Sequence, residues 1–87
     1  MAITKPIQVL LVDDHTMLRQ GLRSALQAYP NIEVVGESSN GEEAVVKAAE
    51  LQPAVVVIDI NMPHMDGITA TRLIKTQNPH IAVVGLS

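Results

Sequence analysis

The chain has no cysteine, tryptophan or phenylalanine, and Tyr29 is its only aromatic residue. Disulfides and thiolate metal sites are therefore excluded, and any core must be built from Val, Ile, Leu, Ala and Met. Long apolar runs are missing too. The longest, Val9 to Val12 and Ala54 to Ile58, fall far short of the ~20 residues that cross a bilayer. One lysine precedes an apolar run that Asp13 and Asp14 cut short, which does not read as a signal peptide. Basic residues are few: six Lys and Arg against nine Asp and Glu give a formal charge of -3. Scattered as they are, they offer no broad nucleic-acid footprint. The expectation is one small domain of 87 residues, in the cytoplasm, without membrane association.

Against these absences, 47% of the residues are hydrophobic, and their spacing is ordered. Ile7 to Val12 is nearly all apolar, too short for a helix, and reads as a buried strand. Leu18, Leu22, Ala25, Leu26 and Tyr29 then recur at helical spacing, with Arg19 and Arg23 on another face expected to be solvated, and Pro30-Asn31 supplies the stop. A short strand is expected over Ile32 to Glu37. Asn40 caps a second helix, with Glu43 three residues on, and Ala44, Val45, Ala48 and Leu51 carry its period as far as Pro53. Ala54 to Ile60 reads as a third strand, Gly67 to Gln77 as a helix, and Asn78-Pro79 introduces a fourth strand, Ile81 to Leu86. Strands apolar on both faces, alternating with helices, imply an α/β fold with a parallel sheet covered on both sides.

Such sheets bind ligands beyond the carboxyl ends of their strands. Asp13 and Asp14 directly follow the first strand, Asp59 lies near the end of the third, and Ser87 ends the fourth. Two carboxylates ~4 Å apart repel by about 4 kcal/mol at an effective dielectric of 20, a cost that a bound cation reverses. Oxygen ligands alone point to magnesium, with manganese as an alternative, and magnesium readily takes phosphate oxygens as further ligands.

Val-Asp-Asp-His at 12 to 15, Arg19-Gln20-Gly21-Leu22, Val35-Gly36-Glu37, Asn40-Gly41-Glu42-Glu43-Ala44 and the run from Asp59 through Asn61, Met62 and Pro63 to Asp66-Gly67 resemble the receiver domain of response regulators, specifically the NarL/FixJ (LuxR-type) subfamily. The resemblance covers essentially the whole chain. It implies a flavodoxin-like, doubly wound sheet of strand order 2-1-3-4-5, with residues 1–87 forming the N-terminal part of a receiver truncated after its fourth strand. It also implies a phosphoacceptor rather than an enzyme with an external substrate. Asp59 would take the phosphoryl group from a sensor histidine kinase, and Asp13, Asp14, Asp59 and the backbone carbonyl of Asn61 would hold magnesium. Ser87 matches the switch hydroxyl. The family's fifth strand, its phosphoryl-contacting lysine and its last two helices have no counterpart here, and DNA binding would belong to a C-terminal domain.

The other candidates have plainer readings. Met62, Pro63, Asp66 and Gly67 are expected to shape the loop that positions Asp59. His15, His64 and His80 lack ligand-spaced partners and are not expected to bind metal. A phosphatase is disfavoured because Asn61, not an acid, stands two residues after Asp59. A self-association module remains an alternative, since Ala82-Val83-Val84 forms an expected edge without proline or charge.

Overall fold

Each unbroken apolar run becomes a strand, and each 3.6-residue period becomes a helix. The computed structural model describes residues 5–62 and 66–86. In chain order the elements are β1 (Ile7–Val12), α1 (Thr16–Gln27), β2 (Ile32–Ser38), α2 (Gly41–Leu51), β3 (Val55–Asp59), α3 (Gly67–Gln77) and β4 (Ala82–Leu86). The strands form one parallel sheet in the order β2-β1-β3-β4, the flavodoxin-like arrangement. The chain moves from β1 outward to β2, then returns past β1 to β3. With right-handed crossovers, that reversal puts α1 on one face and the later helices on the other.

One face is densely packed. Leu10 and Val12 of β1 and Val56 and Ile58 of β3 meet Ala44, Ala48, Ala70, Ile74, Ile81 and Met62 in a single buried cluster. Alanines on α2 and α3 let the helices lie close to the branched strand residues, and burying each Val, Leu or Ile contributes about 1.5–3 kcal/mol. Asn40 caps α2 as the sequence indicates, its side chain accepting the Glu43 N–H at 2.8 Å. At the far end, Gln52 takes a left-handed backbone, and its amide donates to Asn78 at 2.8 Å, joining the carboxyl ends of α2 and α3.

The α1 face differs from expectation. None of its helical residues is buried; Leu22 and Leu26 are half-buried, while Leu18 and Tyr29 are 52% and 59% exposed. The arginine face expected to be solvated instead engages β2. Arg19 Nε donates to Glu37 Oε1 at 2.9 Å, and Arg23 pairs with the other oxygen of the same carboxylate. The physical reason is register: Arg19 and Arg23 stand one helical turn apart, and Glu37 near the end of β2 offers one oxygen to each.

Two glycines differ sharply in their surroundings. A Cβ on Gly67 would lie 2.3 Å from Ile60 Cα and 2.4 Å from the Asp59 carbonyl oxygen, whereas one on Gly21 would meet nothing within 4 Å. Gly67→Ala should therefore destabilise the fold by roughly 3 kcal/mol through backbone overlap. Gly21→Ala, inside a helix, should stabilise it by about 0.5–1 kcal/mol. Urea denaturation of the two variants checks both signs.

Candidate functional site

Pairing of Val12 with Ile58 sets the register of β1 and β3, so the next residues, Asp13 just beyond β1 and Asp59 at the end of β3, emerge side by side. Asp13 is locked further. Its N–H donates to the Ser38 carbonyl at 3.0 Å, and its carbonyl accepts from Arg19. The Asp13 side chain is 3% exposed, against 26% for Asp14 and 14% for Asp59. Ligand atoms of Asp13, Asp14, His15 and Asp59 lie within 4.8 Å of one another, a group that could hold a metal ion.

Backbone donors offset part of the charge. Asp13 Oδ1 accepts the His15 N–H at 2.7 Å, and Asp59 Oδ1 accepts the Asn61 N–H at 2.9 Å. Asp13 Oδ2 and Asp14 Oδ1, both buried, have no hydrogen-bond partner. A buried oxygen left so costs about 1–3 kcal/mol, more when charged.

The expected loop residues have structural duties. Asp66 caps α3 by accepting the Thr69 N–H at 2.7 Å, and that bond holds its carboxyl below the usual carboxylate range. Gly67 lies against the backbone of Asp59 and Ile60, and Met62 is buried in the core. Pro63, His64 and Ser87 lie outside the described residues.

Two residues acquire roles that spacing did not suggest. His15 comes back over the acids: its Nδ1 is 3.1 Å from Asp13 Oδ1, 3.1 Å from Asp14 Oδ1 and 3.8 Å from Asp59 Oδ2. Arg19 anchors the Asp13 carbonyl. Contiguous Asp-Asp-His at a strand-to-helix junction was the available signal for His15, whereas Arg19 depends on Glu37, 18 residues away. A cavity of about 530 Å³ lies at the other end of the sheet, lined by residues including Gln8, Glu33, Ala54 and His80. It gathers no comparable set of ligand atoms among the described residues.

Residues 9–87 match the response regulator receiver domain family. The chain belongs to that family. Among its relatives is the response regulator protein VraR of Staphylococcus aureus, 48% identical over 81 residues, covering 93% of this chain and 39% of VraR. The receiver therefore spans about two fifths of the length of the curated relatives it matches. The response regulator domain of Thermotoga maritima CheB superposes with a TM-score of 0.89 at 41% identity, covering 93% of this chain and 60% of that one. The signal receiver domain of NarL from Mycobacterium tuberculosis gives 0.89 at 28% identity, covering 94% and 66%. These likenesses fit the four-stranded sheet. Among the described residues, no helix of the receiver is long and apolar enough to cross a membrane.

The hydrogen bond to Asp13, then the charge of Asp14, raises the His15 pKa above its ordinary 6.5. A raised folded-state value means that protonated His15 contributes stability fully below pH 6.5 and loses it as pH climbs through the raised value. In metal-free buffer the receiver should therefore lose stability over that interval, and His15→Ala should flatten the slope. Denaturation midpoints taken across the interval check the effect; equal slopes would place the titration elsewhere.

Proposed function

We propose that this receiver accepts a phosphoryl group on Asp59 from a sensor histidine kinase, with magnesium held by Asp13, Asp14, Asp59 and the Asn61 carbonyl. The observation that carries the reading is the gathering of three carboxylates with ligand atoms within 4.8 Å of one another, two of whose buried oxygens, Asp13 Oδ2 and Asp14 Oδ1, accept no hydrogen bond. Hard carboxylate and carbonyl oxygens suit magnesium, and manganese would fit the same donors. Such a cation, when bound, offsets the carboxylate charge and that of the incoming phosphoryl oxygens.

The chain's own groups supply nucleophile and position. Asp59 attacks phosphorus through a carboxylate oxygen, the donor's P–N bond breaks, and its imidazole leaves with the bonding pair. Asn61 N–H holds Oδ1 of Asp59, while Oδ2 faces the cluster. Arg19 keeps Asp13 in place through its carbonyl. Met62, Asp66 and Gly67 shape the following loop, and Ser87 would act as the switch hydroxyl that senses the new phosphate. The likeness to VraR and NarL supports a LuxR-type parent that regulates transcription, DNA being bound by a separate domain.

Magnesium should bind the receiver weakly and raise its melting temperature through linkage, and Asp14→Ala should abolish the rise. Calorimetric titration and melting would overturn the metal site if both proteins behaved alike. A small acyl phosphate should make the chain one phosphoryl group heavier by intact mass only with magnesium present. Asp59→Asn should remove the product, and labelling of that variant would displace Asp59 as acceptor.

A self-association reading has its own support. β4 has one strand neighbour among the described residues, and Val84 on it is 49% exposed. Val83, in contrast, packs against the core, so Val84 is the residue through which edge or face contacts can be probed. The 87-residue polypeptide should pair with a second copy through this region. Light scattering over a dilution series should show Val84→Lys weakening the association and Glu50→Ala leaving it unchanged; a folded monomer at high concentration defeats this reading.

A further inference from the structure

We infer that the acidic cluster is also a site for a late first-row divalent ion, zinc foremost, with His15 Nδ1 as a ligand beside Asp13, Asp14 and Asp59. The inference rests on the reading of this cluster as a metal centre and names a second occupant that competes for it. Ligand atoms bound to one ion at about 2.0–2.1 Å stand roughly 3.0–3.4 Å apart. Nδ1 meets that spacing to Asp13 and Asp14, at 3.1 Å each, and lies slightly wider from Asp59, at 3.8 Å. Small side-chain rotations close the difference.

The hydrogen bonds point the same way. Nδ1 carries at most one hydrogen, which cannot serve Asp13 Oδ1 and Asp14 Oδ1 together, and neither Asp14 Oδ1 nor buried Asp13 Oδ2 accepts a hydrogen bond. Asp13, with its side chain 3% exposed, cannot turn to water for relief. An ion accepted by the Nδ1 lone pair would serve Asp13 Oδ1 and Asp14 Oδ1 together and offset the charge left on buried Asp13 Oδ2. His15 is free for this, because it occupies the N-cap of α1 without a side-chain capping bond. Its backbone is already fixed by bonds to Asp13 Oδ1 at 2.7 Å and from the Arg19 N–H at 2.9 Å.

Imidazole discriminates among metals. Magnesium prefers oxygen and retains its waters, so His15 adds little to its binding, whereas zinc, cobalt and nickel gain from a nitrogen ligand. Zinc held this way would draw an Asp59 oxygen into its ligand set and withhold it from phosphoryl acceptance.

Calorimetric titration of the 87-residue chain with zinc, cobalt and magnesium separately tests the inference, with the visible spectrum of bound cobalt as a second readout. Zinc and cobalt should bind more tightly than magnesium. His15→Ala and His15→Gln should each weaken both late ions by about tenfold or more and shift the cobalt bands, leaving magnesium affinity unchanged. His80→Gln should change none of these. The inference is overturned if zinc fails to bind, if it binds equally to the His15 variants, or if those variants weaken magnesium by the same factor. Should magnesium bind while zinc ignores His15, this inference falls and the magnesium reading stands. His15-dependent zinc binding without magnesium binding gives the reverse.

Discussion

Three carboxylates forced together at the carboxyl ends of parallel strands are the constraint around which this receiver is arranged. The sheet leaves them no alternative, because Val12 pairs with Ile58 and the next residue on each strand is an aspartate. Pairwise repulsion at such separations is several kcal/mol before screening, comparable with the whole stability of a small domain. Compensation comes from N–H groups at His15 and Asn61, the positive end of α1 and the imidazole above the cluster. Even so, two oxygens remain unpartnered. A site left incomplete in this way has its largest gain still available to a cation.

The sheet's two faces meet that constraint differently. Towards α2 and α3 the packing is aliphatic, with alanines seated on Leu10, Val12, Val56 and Ile58. That rigid layer fixes the strand ends. Towards α1 the attachment is largely polar, through Arg19, Arg23 and Glu37. Such partly exposed ion pairs contribute about 0–1 kcal/mol each, so their value lies in orientation more than in stability. The apolar residues of α1 are left half-buried or exposed, as is Val84 on the edge strand β4.

Most of the framework was legible because its signals are local. Unbroken apolar runs marked β1, β3 and β4 within a residue or so, Asn40 marked the start of α2, and the aspartates fell where parallel strands end. The face presented by α1 was not legible. Helical periodicity shows that Leu18, Leu22 and Tyr29 share a side of the helix, but not what stands opposite. Glu37, contributed from a later strand, decided that Arg19 and Arg23 would both pair with β2. His15 was missed for another reason: ligand-spacing rules describe residues on one helix or loop, whereas here a strand ends, the chain turns, and the third consecutive residue folds back over the first two.

The route from the acids to the helices is short and chemically specific. The Asp13 carboxylate faces the cluster while its carbonyl accepts from Arg19, and Arg19 is paired with Glu37. The Glu37 carbonyl in turn accepts from Lys47 of α2, which also pairs with Glu43 in the first turn of that helix. Each bond alone is weak and screened. Together they attach α1 and α2 to the one residue whose side chain cannot leave the site. Neutralising the cluster changes the field on Asp13 without removing any of these contacts, so the helices can keep their places while the site's charge changes. A switch built here would therefore find its moving parts elsewhere, on the side where β4 carries Leu86 alongside Asp59 and leaves Val84 exposed.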